Sequence, residues 1–476
     1  MSFRRLPVCS LAAVLAGAAL LAACGGTGTT NSNTGSNTGS SSPAVISAGD
    51  APMSSVLAAL VTVSAVSMTS SSGTVQLLDQ PRPIELTHLG GIRAPLGLHA
   101  LPLGTYTSLS LTVSAATITY IDSTGKVVTA NATIPSGKDT STITLNPSLD
   151  VTDTGATDIR FDFDLQDSLD LTGSTVTFTP TLSAAVARVK DEDSGHRDIH
   201  VDGTVTATST TANTITLTTD DTGLSVTLNV SNSTKFEDSL TLASLQVGAS
   251  ISTVDDLNSD GTISAEVVEV ADGDGDDNDG NHRVDGGIVT AVSLDANNNL
   301  TGFSMVVRNS VSENNLGKTL TVQVNSATDI KISMNATNAG MTTFDQTQIF
   351  AGQALWVAGA KVQGQTDTVL ASEIRPAQVN PFGLTTAAVT AGASGGFVIP
   401  FVIDVNTAFD RFLTTPISAV TVDTNSSTIF DGNVSSSSIA SLSAGSPLIV
   451  RGFLSESAGA ATLFSTHVHG VSAGRP

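Results

Sequence analysis

The sequence predicts an all-β protein, with an N-terminal β-sandwich and three small closed β-barrels behind a signal peptide and a flexible tether. Three observations predict it. Apolar and polar residues alternate with a period of two in stretches such as "LSLTVSAATITYI" and "IRFDFDL". Valine and threonine fill those stretches, as half-buried strands require. Turn-forming runs, "SSSG", "DSTGK" and "PSGKD", punctuate them. Finally, a diverged unit recurs three times between residues 198 and 473. At 476 residues the chain also exceeds one ordinary core, so several domains are expected.

Residues 1–23 read as a signal peptide. Arg4 and Arg5 precede the apolar stretch "LPVCSLAAVLAGAALLAA", which is short beside the ~20 apolar residues of a membrane span. It runs into "LAAC", which resembles the bacterial lipobox. The resemblance implies diacylation of Cys24 on sulfur and cleavage before it. Cys9 then leaves with the signal peptide, so no thiol remains for a disulfide, a thiolate metal site or a nucleophile. Residues 24–47 are glycine, serine, threonine and asparagine with little to bury, a flexible tether. Lipid and tether together place the protein in the cell envelope, held to a membrane through Cys24. Gly25 in place of an aspartate favours the outer membrane or cell surface.

Residues 48–190 form the expected sandwich, although "SSVLAALVTV" has the composition to begin as a helix. The stretches "GDAPMSSVLAALVTVSAVSM", "PIEL", "LPLGTYTSLSL" and "IRFDFDLQDSL" resemble a bacterial extracellular domain of unknown function, family 4382. The resemblance rests on the step Asp50, Ala51, Pro52 and on the turn Leu101, Pro102, Gly104, Thr105, Tyr106. It implies a β-sandwich on a lipoprotein and brings no assigned activity. Gly104 can relieve the turn, and Tyr106 starts a strand with a ring to bury and a hydroxyl needing a partner.

The repeats occupy 198–271, 284–376 and 377–473, with an acidic linker at 272–283. "VDGTVTA", "DGGIVTA" and "PFGLTTA" open the units, and "VSNSTKF", "VNSATDI" and "TNSSTIF" follow. A glycine then precedes an apolar strand, and a last strand closes each unit. The order resembles a second bacterial domain of unknown function, family 5666. The third unit departs by carrying Ser465 where the others have Ala265 and Ala371. Short strands with glycine at the bends suggest a barrel of OB-like type.

Candidate chemistry is sparse. With 43 acidic and 20 basic residues the formal charge is −23, which argues against nucleic acid as a partner. "DGDGDDNDG" invites a calcium loop using Asp274, Asp276, Asn278 and Asp285 at positions one, three, five and twelve. Position six is Asp279 rather than glycine, and strands rather than helices flank the tract, so it reads as a solvated spacer. His196 and His200 flank Asp198 at a spacing that suits zinc only on a helix. His467 and His469 share a strand face and read as a solvent-facing pair. Asp162 and Asp164 lie opposite Phe161 and Phe163, with Asp167 beyond them, which is the alternation of a half-solvated strand. No nucleophile elbow, phosphate loop or zinc-protease motif occurs. Trp356, Tyr106 and Tyr120 are a thin supply of sugar-stacking rings. No catalytic or cofactor site is assigned. The expected function is a non-catalytic binding, adhesion or structural role with an envelope protein or glycan partner. The alternatives are a polysaccharide-active enzyme, using the Asp162 and Asp164 region, and a carbohydrate-binding module.

Overall fold

The computed structural model describes residues 40–471, apart from 52, 173–174, 190–198, 237–239, 271–281, 311–314, 393–394, 405–406, 414–416 and 458–459. The side chains of residues 51, 282–285, 410 and 457 are also left out. The fold is all-β.

The N-terminal domain begins with β1 (Ser41–Ala51), β2 (Val56–Ser70), β3 (Gly73–Gln76), β4 (Arg82–Glu85), β5 (Ala94–Pro102) and β6 (Gly104–Ile121). It continues through β7 (Val127–Asn131), β8 (Thr140–Val151), β9 (Thr157–Asp164), the one-turn helix α1 (Leu165–Ser168), β10 (Leu169–Asp170), β11 (Thr177–Phe178) and β12 (Leu182–Arg188). One sheet has the order β12-β9-β1-β5. The other runs β3-β2-β6-β7, with β4 on β2 and β8 on β6. Ile46, Ala48, Leu96, Phe161 and Phe163 of the first sheet meet Val61, Val63, Leu109, Leu111 and Val113 of the second in one core. This is a sandwich, with alternate residues of each strand turned inward.

One boundary moves and one element changes type. The stretch read as tether to residue 47 already contains β1, which pairs with β5 on one side and β9 on the other. Its Ser-Ser-Pro opening resembles the tether, but Ala44 and Ile46 fill the sandwich core and Val45 turns toward the first barrel's core. "SSVLAALVTV" leads into strand rather than helix, because β2 pairs with β6 from Val56 to Ser70. The Tyr106 ring is buried, and its hydroxyl donates to the Pro102 carbonyl at 2.9 Å.

The first barrel comprises β13 (Ile199–Ser209), β14 (Thr214–Thr219), β15 (Ser225–Asn229), β16 (Lys235–Phe236), β17 (Ser250–Leu257) and β18 (Ile263–Val270). The second comprises β19 (His282–Leu294), β20 (Leu300–Ser310), β21 (Thr319–Gln323), β22 (Asp329–Ile330), helix α2 (Met334–Ala339), β23 (Ala354–Lys361) and β24 (Thr368–Pro376). The third comprises β25 (Phe382–Thr385), β26 (Thr390–Ala391), β27 (Phe397–Ile403), helix α3 (Ala408–Arg411), β28 (Ala419–Asp423), β29 (Ile429–Gly432), β30 (Pro447–Ser457) and β31 (Ala460–Gly470). Five strands close each ring: β13-β14-β15-β18-β17, β19-β20-β21-β24-β23, and β25-β27-β28-β31-β30. Each ring closes through one parallel pair: β15 with β18, β21 with β24, and β28 with β31. The acidic linker is shorter than 272–283, since β19 starts at His282, opposite Ala360.

Closure explains the repeated letters. A Cβ on Gly203, Gly287 or Gly383 would fall within 3.0 Å of the carbonyl oxygen of Thr218, Val306 or Val402 on the neighbouring strand. Only glycine lets the first strand bend that close. Thr234, Thr328 and Thr428 each donate a hydroxyl to the carbonyl of Ala265, Ala371 or Ser465, at 2.7, 2.8 and 2.8 Å. The same oxygens accept from the backbone N–H of Ser231, Asn325 and Asn425. Each threonine therefore ties a turn to the closing strand.

The barrels pack on the sandwich and on one another. Leu57, Ala58 and Ile121 of the sandwich share a core with Ile288 and Val306 of the second barrel and Ile399 and Phe401 of the third.

Candidate functional site

The period of β9 sends Phe161 and Phe163 into the core, so Arg160, Asp162 and Asp164 face out. That outer face lines a cleft of about 420 Å³ shared with the third barrel, within the ~300–1,000 Å³ typical of small-molecule sites. Asp164 also caps α1, accepting from the Asp167 N–H at 3.1 Å, which brings Gln166 and Asp167 to the rim. Across the cleft stand Asp431, His467 and His469, with Phe382, Ile429 and Ile449 as apolar wall.

Parallel pairing of β29 with β31 sets Ile429 opposite His467 and Asp431 opposite His469. Asp431 Oδ1 lies 2.7 Å from His469 Nδ1, as a hydrogen bond, and 2.9 Å from His467 Nε2. The second contact has ion-pair distance without hydrogen-bond alignment, and both ring nitrogens of His467 lack hydrogen-bond partners. Burial opposes ionisation of Asp431, but the two imidazoles overcome it and hold the carboxyl well below its usual range. His467 is only 5% exposed. It is therefore not the solvent-facing residue that its strand position implied: Gly91, at φ +77°, brings the sandwich backbone against its ring.

Asp50 lies at the sandwich end of the cleft, 4% exposed, with neither carboxyl oxygen hydrogen-bonded. Burial, then the charges of Asp162, Glu85 and Asp164, push its pKa well above the carboxylate range. The nearby arginines are engaged at the buried Asp158: Arg160 Nε lies 2.6 Å from Oδ2, and Arg93 Nη1 lies 3.3 Å from Oδ1.

A second polar centre holds the cleft walls in place. Glu85 is fully buried and accepts from Ala59 N (2.7 Å), Thr87 N (3.1 Å), Thr87 Oγ1 (2.8 Å), His88 N (3.2 Å) and His88 Nδ1 (2.8 Å). Burial opposes its charge, but the hydrogen bond and charge of His88 prevail and lower its pKa. His88 Nε2 reaches Asp221 of the first barrel at 3.6 Å. Burial pushes Asp221 up to about 7, partly offset by His88. Arg451 and Asn380 of the third barrel's segment donate to the carbonyls of His88 and Thr87 at 2.5 and 2.8 Å.

Of the residues singled out in the sequence, Asp162, Asp164, Asp167, His467 and His469 meet in the cleft. His200 lies apart, lining a cavity of about 90 Å³ with Trp356 and His88. Burial and the charge of Arg451 keep its pKa well below the ordinary value. His196, Asp198, Asp274, Asp276, Asn278 and Cys24 lie outside the described residues, as does the side chain of Asp285. Among the described residues no three His, Cys, Asp or Glu are disposed to hold a metal ion. Sequence reasoning did not find Asp431 or the burial of Asp50. The Asp-Ala-Pro step was a signal for the second; "TIFDG" offered none for the first.

Among curated proteins none matches this chain. The single-stranded DNA binding protein from Thermus aquaticus is 13% identical, aligning 41% of this chain with 95% of its own at a TM-score of 0.17. The Drosophila Unr CSD456 structure is 11% identical, aligning 57% with 97% at a TM-score of 0.14. Likeness at such scores carries no argument. Residues 45–180, within the N-terminal sandwich, match the family described as Domain of unknown function (DUF4382).

Proposed function

We propose that this chain is a lipid-anchored, non-catalytic binding protein of the cell envelope that holds a small ligand between its sandwich and its third barrel. One observation carries the reading: polar groups from β9 of the sandwich and from β29 and β31 of the third barrel, far apart in the sequence, converge on one cleft of about 420 Å³. The "LAAC" ending of the apolar N-terminal stretch supports the anchor at Cys24. The matching glycine and threonine positions of the barrels support three diverged copies of one unit, of the kind that family 5666 resembles. A hydrolase acting on envelope polysaccharide is the second reading. The Asp431–His469 pair favours it, because a carboxylate fixing an imidazole is how a general base is oriented.

Two measurements test the proposal. Metabolic labelling with a clickable fatty acid should mark the wild type and not Cys24→Ser; equal labelling would remove the anchor. The low-molecular-mass fraction of an envelope extract should raise the wild-type melting temperature by mass action. Ser183→Trp, which places an indole in the cleft, should lose most of that rise. An unchanged rise in the variant, or none in the wild type, would end the cleft reading.

A further inference from the structure

We infer that the cavity where the three barrels meet the sandwich binds a phosphate monoester of a small polar alcohol. The inference goes beyond the cleft reading and does not depend on it. The cavity measures about 90 Å³ and adjoins a second of about 180 Å³, with His200, Gln378 and Arg451 in the walls of both. Basic groups gather there against the trend of an acidic chain. Of only 20 lysines and arginines beside 43 acids, Arg308 and Arg375 of the second barrel and Arg451 of the third line the smaller cavity. Two acids line it as well, and both are engaged. Asp202 accepts from Asn309 Nδ2 at 2.6 Å through Oδ2, and its Oδ1 is sealed from solvent. Glu269 accepts from the Asn335 N–H.

The arginines differ in how they are held. Arg375 is paired with Glu373, and Arg451 donates to the Gln378 side chain and the His88 carbonyl. Arg308 donates from Nε to the Leu57 carbonyl, and among the described residues its Nη1 and Nη2 have neither a hydrogen-bond nor an ion-pair partner. Burial brings its pKa down to about 10, against the pull of Glu85 and Asp50. A guanidinium withdrawn from water without a carboxylate is costly, and an oxyanion at its fork offsets that cost. His200 reports the local field independently. After burial, every charge that acts on its ring is positive: Arg451, His88 and His467 all lower its pKa.

The anion is a phosphate because the donors stand on three different barrels. The Arg308 fork comes from the second, the His200 imidazole from the first and the Gln378 Nε2 amide from the third barrel's segment. Three terminal oxygens on a tetrahedral centre can meet donors from several sides, whereas a carboxylate offers two oxygens in one plane. A volume of about 90 Å³ equals roughly three waters, room for one phosphoryl group. The adjoining cavity gives the ester a place to extend. Asn335, Asn338, Ser427 and Thr466 line it, so the alcohol is polar. A net charge of −23 disfavours a polymer of phosphates on the surface, but a single enclosed phosphate answers to the charges beside it.

Trp356, the only tryptophan, lines the cavity and can report on it. Its emission, together with titration calorimetry, is followed in the full chain in detergent at constant ionic strength. The probes are glycerol 3-phosphate, inorganic phosphate, acetate and glycerol. Glycerol 3-phosphate should bind one to one with a saturable change in emission, at least tenfold tighter than inorganic phosphate or acetate, and glycerol should give no response. Arg308→Gln should weaken it at least tenfold, and Arg308→Lys less. Ser252→Phe sets a ring into the cavity from a half-buried position between the inward-facing Ile251 and Thr253. It should abolish binding at an unchanged melting temperature, and it decides the matter if Arg308→Gln does not fold. Ser183→Trp, in the cleft, should leave the calorimetric affinity as it is. No saturable binding of glycerol 3-phosphate, equal binding of any other probe, or an unchanged affinity in folded Arg308→Gln or in Ser252→Phe would overturn the inference.

Discussion

Glu85→Ala should cost about 3–5 kcal/mol of stability in urea denaturation, the range found when one partner of a buried, hydrogen-bonded charge pair is removed. The carboxylate takes five donors from three residues of the sandwich. Alanine leaves the N–H groups of Ala59, Thr87 and His88 facing a hole that is sealed from water. It also strips His88 of its nearer carboxylate, leaving the more distant Asp221. Because Asn380 and Arg451 reach the carbonyls of Thr87 and His88, the damage should pass to the third barrel's contact with the sandwich. Glu85→Gln should lose less, since its amide oxygen can still accept from Ala59 and Thr87 while its amide nitrogen opposes the His88 donors. The pH dependence has a definite sign. The folded pKa of Glu85 is lowered, so its contribution is present above the unfolded value of about 4.3 and is lost as pH falls through the folded pKa. Wild type and Glu85→Ala should therefore converge in acid. A loss under 1 kcal/mol at neutral pH would show that this network does not secure the junction.

What the sequence disclosed, and what it withheld, divides along chain distance. The alternation of Phe161 and Phe163 with Asp162 and Asp164 is a local property of one strand, and the structure keeps it. The repeated glycines and threonines were visible as letters. Their meaning was not, because each acts on a carbonyl some 15 to 40 residues away. The start of β1 was hidden for a similar reason: Ser41 and Ser42 have tether chemistry and become strand through partners on both sides. The cleft lay furthest out of reach. No pattern within "STHVHG" could reveal that Gly91 closes over His467 or that Asp431 lies between the two imidazoles. The histidine spacing therefore looked like an exposed pair, and the aspartates like a solvated face.

Gly287→Ala should destabilise the second barrel by about 1–3 kcal/mol, the usual cost of overpacking. The added methyl group would press on the Val306 carbonyl and the Met305 methyl group, and the first of these is backbone that cannot rotate away. The pairing of β19 with β20 already shifts register between Gly286 and Gly287, so relief would require opening the ring at its tightest bend. The fold supplies its own reporter. Trp356, the only tryptophan in the chain, lies on β23 directly opposite Gly286. Its fluorescence should shift at lower urea in Gly287→Ala than in the wild type. Gly203→Ala and Gly383→Ala create the same conflict with Thr218 and Val402, so each should cost a similar amount in its own barrel. Gly364→Ala is the control, with nothing within 4 Å of the new methyl group and only a positive φ of 78° to strain it. If Gly287→Ala proves no more costly than that control, close strand approach is not why these three units open on glycine.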